Sequence, residues 1–302
     1  MIQVIVLAGG DSDERAVSLR SGAAVATALR TGGYAVTELD PAQPGPDYEA
    51  QLAGADLVFP VLHGKGGEDG VIQSWLDSRG IRYVGATVTA SELCFDKWRY
   101  KQLLQSAGLP TPAGELVQAG SIWESPLVRA PFVLKPHDGG SSIDTYIVRD
   151  PVHVDRQAID DSFTRHQDML LEELIEGTEA TIGVLLGAVL PVIEIVPPAG
   201  GEFDYDNKYN GRTQEICPPR SISTEIQLKL QDLTTQIHKL TGVYDMSRTD
   251  IMIGKNGTLY VLETNTIPGL TTQSLFPKAA ATAGYSMPDM VRLLVDAALA
   301  RR

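Results

Sequence analysis

Arg248-Thr-Asp-Ile-Met-Ile-Gly-Lys-Asn-Gly-Thr-Leu-Tyr-Val-Leu-Glu-Thr-Asn265 is the stretch that organises the rest of the chain. Two β-rich runs flank Asn256-Gly257. That pair favours a two-residue type I′ turn, whose central residues both need positive φ. A hairpin closed this way sets Asp250 opposite Glu263 and Arg248 opposite Asn265. Opposed residues project to one face with Cβ atoms about 5 Å apart. Glu263 and Asn265, two apart on a strand, share that face. One face thus gathers two carboxylates, an amide oxygen and a guanidinium. Thr249, Ile251, Ile253, Tyr260, Leu262 and Thr264 form the other, mostly core, face. Opposed carboxylates repel unless a cation lies between them. An all-oxygen set without His or Cys suits Mg²⁺ better than zinc. The competing reading is a solvated strand face on which Arg248 neutralises the acids. A G1 bulge in the turn would slip the register and scatter the cluster.

Working outward, strand-like and helical runs alternate over residues 2–85. A Val/Ile run at 2–8 ends in Gly9-Gly10, and helical periodicity follows to about Leu29. Residues 34–39 and 56–62 read as further strands, a helix starts near Val71, and Arg82-Tyr-Val reads as a short strand. Such alternation builds a parallel sheet with right-handed crossovers. A second unit starts near Leu93. Its charged helix, Asp96 to about Ser106, stops at Gly108, Pro110 and Pro112. Strand-like runs at 130–135 and 169–175 follow, with a Gly/Ser-rich loop between them. A third unit has strand-like runs 180–186, 189–196, 248–254 and 258–264, an amphipathic helix near 223–241 and a last helix from about Pro288. The expected division is 1–93, 94–178 and 179–302. The polar segment 199–216 is too long for a simple hairpin and reads as an ordered functional loop or a lid.

Composition narrows the function class. The 302 residues are 43% hydrophobic and 21% charged, which excludes disordered, collagen-like and disulfide-scaffold chains. A net charge of −13 argues against non-specific binding to nucleic acid or an anionic membrane. Residues 1–8 lack a basic n-region and read as a strand rather than a secretory signal. The longest charge-free apolar stretch, between Glu179 and Glu194, is too short for a membrane helix and is broken by Gly183, Gly187 and Pro191. Cys94 and Cys217 have no metal-ligand spacing and read as reduced core residues. A cytoplasmic protein is expected.

Two further groups of residues carry chemistry. Lys135-Pro-His-Asp-Gly-Gly-Ser-Ser142 follows a strand. Small residues there admit backbone N–H groups to an anion, and hydroxyls and a lysine add donors. It is not a Walker A loop, and an ordinary glycine turn explains it equally well. Lys97 lies on the first turns of a helix, and Glu172-Glu-Leu-Ile175 ends a strand. On the other side, Gly9-Gly-Asp-Ser-Asp-Glu14 joins a strand to a helix. Glu14 there can anchor a substrate ammonium, although helix capping by Asp11 or Ser12 is the plainer account. His63-Gly-Lys-Gly-Gly-Glu-Asp-Gly70 sits at the carboxyl end of a parallel strand, where open α/β folds bind ligands. Gly269 to Leu275 could offer backbone N–H groups and Ser274 to a carboxylate.

Taken in order, these segments resemble a known family. Gly9-Gly-Asp-Ser-Asp-Glu-Arg-Ala-Val-Ser-Leu, His63 to Gly70, Lys135-Pro with Gly-Ser-Ser, Lys208-Tyr209, Arg248-Thr-Asp250 and Leu262-Glu-Thr-Asn-Thr-Ile-Pro-Gly269 look like the D-alanine–D-alanine ligases of the ATP-grasp superfamily. The resemblance spans essentially the whole chain. It implies an α/β, three-domain ATP-grasp fold, with a parallel-sheet N-terminal domain and α+β central and C-terminal domains that clamp ATP. It implies synthesis of D-alanyl-D-alanine, ADP and phosphate from ATP and two D-alanines for cell-wall precursors. By the same resemblance Lys97, Lys135 and Ser142 meet the ATP phosphates, with Lys208 beside them. Glu172, Glu173 and Ile175 line the adenine, and Glu179 faces the ribose. Asp250, Glu263 and Asn265 match the ligands of two Mg²⁺ ions, for which Mn²⁺ could substitute. Glu14 matches the residue that binds the first D-alanine's ammonium, with His63 beside it. Tyr209 resembles the tyrosine that bonds Ser141 and Glu14 as the 199–216 lid closes. Arg248 and the Gly269 N–H would hold an oxyanion. Ser274 and Leu275 would take the second substrate's carboxylate. A homodimer without nucleic-acid or membrane partners is implied.

Departures from the family pattern sit in the phosphate loop. Asp144 stands where the family usually has glycine, and His137-Asp138 replaces the more usual small-basic pair. A carboxylate there would repel ATP unless it points away or meets a cation. Two alternatives follow: a depsipeptide ligase joining D-alanine to D-lactate, against which Tyr209 speaks, and an ATP-binding regulatory module without ligase activity.

Overall fold

The computed structural model describes residues 1–140, 144–198 and 212–301. The first sheet is built from β1 (Gln3–Leu7), β2 (Ala35–Leu39) and β3 (Leu57–Pro60), alternating with α1 (Arg15–Thr31), α2 (Tyr48–Ala53) and α3 (Val71–Asp77). Its order is β2-β1-β3 and all pairings are parallel. β3 is buried along its whole length, as a parallel strand covered on both faces must be. Ser18 ties the strand ends together: its hydroxyl donates to Val61 O at 2.5 Å and accepts from Gly9 N at 2.8 Å. The expected strand at Arg82-Tyr-Val is reduced to one parallel bridge, Val58 to Tyr83.

Two helices follow, α4 (Val88–Phe95) and α5 (Lys97–Ser106). Asp96 caps α5 by accepting from the backbone N–H groups of Trp98 and Arg99, each at 3.1 Å. This cap fixes where Lys97 enters the helix. The second sheet is antiparallel, with β4 (Gly114–Gln118), β5 (Phe132–Pro136), β6 (Tyr146–Val148) and β7 (Asp168–Glu173) in the order β4-β7-β5-β6. Helix α6 (Arg156–Ser162) packs Ile159 on Phe132, Leu134 and Leu171.

The third sheet holds β8 (Gly177–Leu185), β9 (Ala188–Val189), β10 (Ile193–Val196), β11 (Gln214–Ile216), β12 (Met246–Gly254) and β13 (Leu259–Asn265). Its path is β11-β10-β8-β12-β13, with β9 beside β8. The end of the segment expected as a loop at 199–216 is therefore an edge strand, because Gln214, Glu215 and Ile216 pair with β10. Helix α7 (Thr224–Thr241) buries Leu230, Leu233 and Ile237 in the same core as β8, β12 and β13. Two helices, α8 (Leu275–Thr282) and α9 (Met287–Ala300), close the chain. Among the described residues, no helix is long and apolar enough to cross a membrane.

Packing does not follow chain order. Val4, Val6, Val25, Leu29 and Phe59 of the first sheet and α1 share one core with Met290, Leu294 and Val295 of α9. The chain end is pinned as well. Asp245, 1% exposed, accepts from Arg301 and from Gly85 N, while Arg301 Nη2 donates to Tyr83 O at 2.8 Å. Removing the guanidinium leaves a buried carboxylate without its counter-charge. Arg301→Ala should therefore lower stability by about 3 kcal/mol, read as a shift of the urea midpoint with little change in slope.

Candidate active site

The β12–β13 hairpin delivers the acidic cluster by a different route from the one expected. Gly254 N donates to Thr258 O at 2.8 Å and Gly257 N to Gly254 O at 2.8 Å, with Gly257 at φ +79°. The turn is thus a three-residue loop with Gly257 in the left-handed region, not a two-residue type I′ turn. Pairing next to it is slipped by one: Ile253 faces Leu259 and Ile251 faces Val261. A β-bulge beyond Ile251 then restores the register, so that Asp250 faces Glu263 and Arg248 faces Asn265. The extra residue is Leu262. Expected on the core face, it lines a cavity instead, beside Glu263, while Val261 is fully buried.

Arg248 and Asp250 form a bidentate pair on one strand face, with Nε to Oδ1 at 3.0 Å and Nη2 to Oδ2 at 2.7 Å. Thr181 Oγ1 donates to Asp250 Oδ1 at 2.5 Å, and Asn265 Nδ2 approaches Oδ2 at 3.5 Å. Burial works against the Arg248 charge, but Asp250, Glu263 and Glu68 raise its pKa overall. Arg248 does neutralise an acid, as the plain reading supposed. The face is nevertheless not an open solvated one: Asp250 is 7% exposed, and Arg248, Glu263 and Asn265 are half-buried at the cavity walls.

Two cavities meet at Glu263. The first, about 450 Å³, lies between the second and third sheets. Lys97, Lys135, Glu172, Glu173, Ile175 and Glu179 all line it. Val133, Ile147, Met252 and Leu262 give it apolar walls. Lys97 Nζ lies 3.3 Å from Glu263 Oε2 and also donates to Gly139 O. Lys135 Nζ sits 2.6 Å from Glu172 Oε2, and the buried Lys101 sits 2.6 Å from Oε1. Glu172 is thus the centre of a buried lysine–carboxylate–lysine set. Burial pushes its pKa up, but Lys135 and Lys101 outweigh that and hold it below the usual carboxylate range. Lys101 moves down because burial outweighs Glu172, whereas Lys135 is raised against burial by Glu172, Glu263 and Glu179. Glu172 Oε1 is sealed from solvent against Lys101.

The second cavity, about 950 Å³, is lined by Glu14, His63, Arg248, Gly269, Ser274 and Leu275, with Asn265 and Glu263 at its junction with the first. A Cβ placed on Gly140 would come within 2.5 Å of Glu14 Oε2, and one on Gly64 within 3.0 Å. The Glu14 carboxylate therefore sits where the phosphate-loop edge of the second sheet meets the first. His63 is held by Ser12, whose hydroxyl donates to its carbonyl at 2.6 Å, and its Nε2 is 3.4 Å from Ser21 Oγ. Burial, aided by Arg248, lowers the imidazole pKa to about 4, so the ring is neutral.

Glu68 joins this cavity although the motif containing it suggested only His63. Gly64 N donates to its Oε2 at 2.8 Å. Burial, with Glu14 and Glu263 adding repulsion, pushes its carboxyl up to about 8. Sequence reasoning also missed Lys101. The clue for both was spacing: Glu68 closes a glycine-rich loop that starts at His63, and Lys101 lies one helical turn from Lys97.

Asp144 does not stand beside the first cavity as a bare charge. Arg165 grips both of its oxygens, at 2.6 and 3.1 Å, and His166 Nε2 lies 2.7 Å from Oδ2. Its φ is +52°, which accounts for glycine being usual there. Of the replaced pair, Asp138 bridges to Lys65 at 2.9 Å and His137 approaches Asp96 at 3.3 Å. Ser141, Ser142, Lys208 and Tyr209 lie outside the described residues.

This arrangement has close counterparts. Family models described as D-ala D-ala ligase N-terminus and D-ala D-ala ligase C-terminus match residues 37–86 and 103–296. The chain belongs to the D-alanine–D-alanine ligase family. It is 41% identical to the D-alanine–D-alanine ligase of Mannheimia succiniciproducens over 97% of both chains. It is 39% identical to that of Syntrophotalea carbinolica, covering 98% of this chain and 96% of the relative. The crystal structure of the Bacillus anthracis ligase complexed with ATP superposes with a TM-score of 0.84 at 26% identity, covering 99% of this chain and 98% of that one.

A divalent cation fits the donors that this member of the ligase family presents. Asp250, Glu263 and Asn265 offer hard oxygen on one face, which suits Mg²⁺. Among the described residues no group of three His, Cys, Asp or Glu side chains could hold a metal alone. Six acidic and four basic side chains line the first cavity, so a polyphosphate gains most from it in company with cations.

His63 gives a pH test. Its folded pKa lies below the ordinary 6.5, so the unfolded chain binds more protons as pH falls from 6.5 towards 4. Stability is unaffected above that window and lost within it. His63→Gln should flatten the fall in melting temperature across that range relative to wild type. Parallel pH curves for the two proteins would show that His63 titrates normally.

Proposed function

We propose that this chain joins two D-alanine molecules in the following way. One observation carries the proposal: Glu263 belongs to both cavities, so a nucleotide's terminal phosphate and a small amino acid can meet there. A carboxylate is a poor acylating group because oxide is a poor leaving group. Transfer of the γ-phosphoryl group of ATP to the first D-alanine's carboxylate oxygen gives D-alanyl phosphate and ADP. The second D-alanine's amine then attacks the acyl carbon, and phosphate leaves.

Each side chain has a role in that sequence. Lys97 and Lys135 exchange their carboxylate partners for phosphate oxygens. Glu172, Glu173 and Ile175 line the adenine, with Glu179 towards the ribose. Asp250, Glu263 and Asn265 hold Mg²⁺, two ions by family resemblance. Bound there, the metal offsets charge on the transferring phosphoryl group. Glu14 takes the donor's ammonium. Neutral His63 beside it adds no repelling charge. Arg248, braced by Asp250, and the Gly269 N–H face the tetrahedral oxyanion, where each donor contributes about 3 kcal/mol. Ser274 and the first N–H groups of α8 receive the acceptor's carboxylate. Ser141, Ser142, Lys208 and Tyr209 complete the lid and phosphate loop in the same proposal. A homodimer working in the cytoplasm belongs to it as well.

The test is ADP release measured in parallel with D-alanine, L-alanine, D-serine and D-lactate. D-alanine alone should support turnover to D-alanyl-D-alanine. Predominant ester formation from D-alanine and D-lactate at neutral pH would reverse the assignment. Glu263→Gln should cut kcat by about a hundredfold or more with an unchanged circular dichroism spectrum, as loss of a group facing developing charge does. Near wild-type turnover in that variant would remove Glu263 from the reaction.

A further inference from the structure

Among the described residues, the proposed roles leave Arg20, on the exposed side of α1, and Lys278, beside Ser274, unused in the substrate cavity. Lys278 lies on α8, one turn beyond its N-cap, and its backbone N–H donates to Ser274 O at 3.1 Å. Positions three and four apart on a helix share a face, so Lys278 stands below both Ser274 and Leu275. Its side chain lines the 950 Å³ cavity with them. Its ammonium is 2.5 Å from Glu215 Oε2 on β11. Lys278 and Glu215 are 34% and 18% exposed, so this is a partly desolvated pair at the cavity wall.

The charges of this cavity favour a substrate role for that pair. Glu14, Glu215 and Glu263 line it against Arg20, Arg248 and Lys278, while Glu68, raised by burial, is largely protonated at neutral pH. Arg248 is committed to Asp250. An acceptor amino acid brings its own carboxylate into these surroundings. A hydroxyl and a helix N-terminus, worth about half a positive charge, are a modest counterweight. Lys278 adds a cation on the same helix face, and its pair with Glu215 is more exposed than that of Arg248 with Asp250.

We infer that Lys278 binds the acceptor's carboxylate together with Ser274, and that Glu215 holds its ammonium at the cavity wall until the acceptor arrives. Lys278 then selects α-amino acids over simple amines as acceptors. This deepens the ligase reading of the site and rests on it.

Steady-state kinetics of the full chain separate donor and acceptor KM values for D-alanine. Lys278→Met should raise the acceptor KM about tenfold or more and leave the donor and ATP KM values within about twofold, the scale of one charge-assisted hydrogen bond. Lys278→Arg should restore most of the loss. Glu215→Gln removes the pair but keeps the cation, so the acceptor KM should stay the same or fall. An unchanged acceptor KM in Lys278→Met overturns the inference. So does a rise in Glu215→Gln equal to that in Lys278→Met, because the pair would then only pin β11 to α8. Wild-type protein without D-alanine-dependent ADP release overturns the ligase reading itself, and this inference with it.

Discussion

Holding Asp250 and Glu263 side by side is the constraint to which the rest of the molecule conforms. Two carboxylates opposed across a strand pair repel each other, and burial makes the repulsion worse. The protein offsets this with Arg248 and Thr181 on Asp250 and with Lys97 on Glu263. Each partner comes from a different place in the chain: a neighbouring residue, the adjacent strand and the capped start of α5. The site is therefore also a junction of the fold. Lys97, placed by Asp96, connects the acidic hairpin to the phosphate loop through Gly139.

The same logic recurs at Glu172. One buried carboxylate between two lysines is stable only while both remain, since burial penalises every charge in the set. Lys101 lines neither of the two cavities. It helps to keep Glu172 ionised, which in turn keeps Lys135 charged and positioned at the wall of the first cavity. Replacing Lys101 with an apolar residue would change two groups that it does not resemble.

Much of this was legible in the sequence, but the hairpin shows how the reading can succeed through offsetting errors. Asn256-Gly257 announced a turn and the alternation announced strands, yet nothing local distinguishes a two-residue loop from the three-residue one that forms. Nor does it reveal the bulge at Leu262, whose side chain leaves the core for the cavity. The acids stay paired because the slip and the bulge cancel. Glu68 and Lys101 were hidden for another reason: their meaning lies in burial and in charges distant in the chain, as Glu263 for Glu68 and Glu172 for Lys101 show. Asp144 looked like a defect because its counter-ions, Arg165 and His166, belong to a later segment that sequence spacing does not connect to it.

The shared core of the first sheet and α9 bears on how the molecule is made. Val4, Val6 and Val25 are covered by Met290, Leu294 and Val295, residues near the opposite terminus. While translation proceeds, the earliest β-strands have left the ribosome without the helix that shields them. Their apolar side waits until residues 290–295 have been synthesised, and until then it is open to chaperones or to self-association. Emergence of α9, rather than of the first ninety or so residues, is thus the moment at which this half of the enzyme becomes secure.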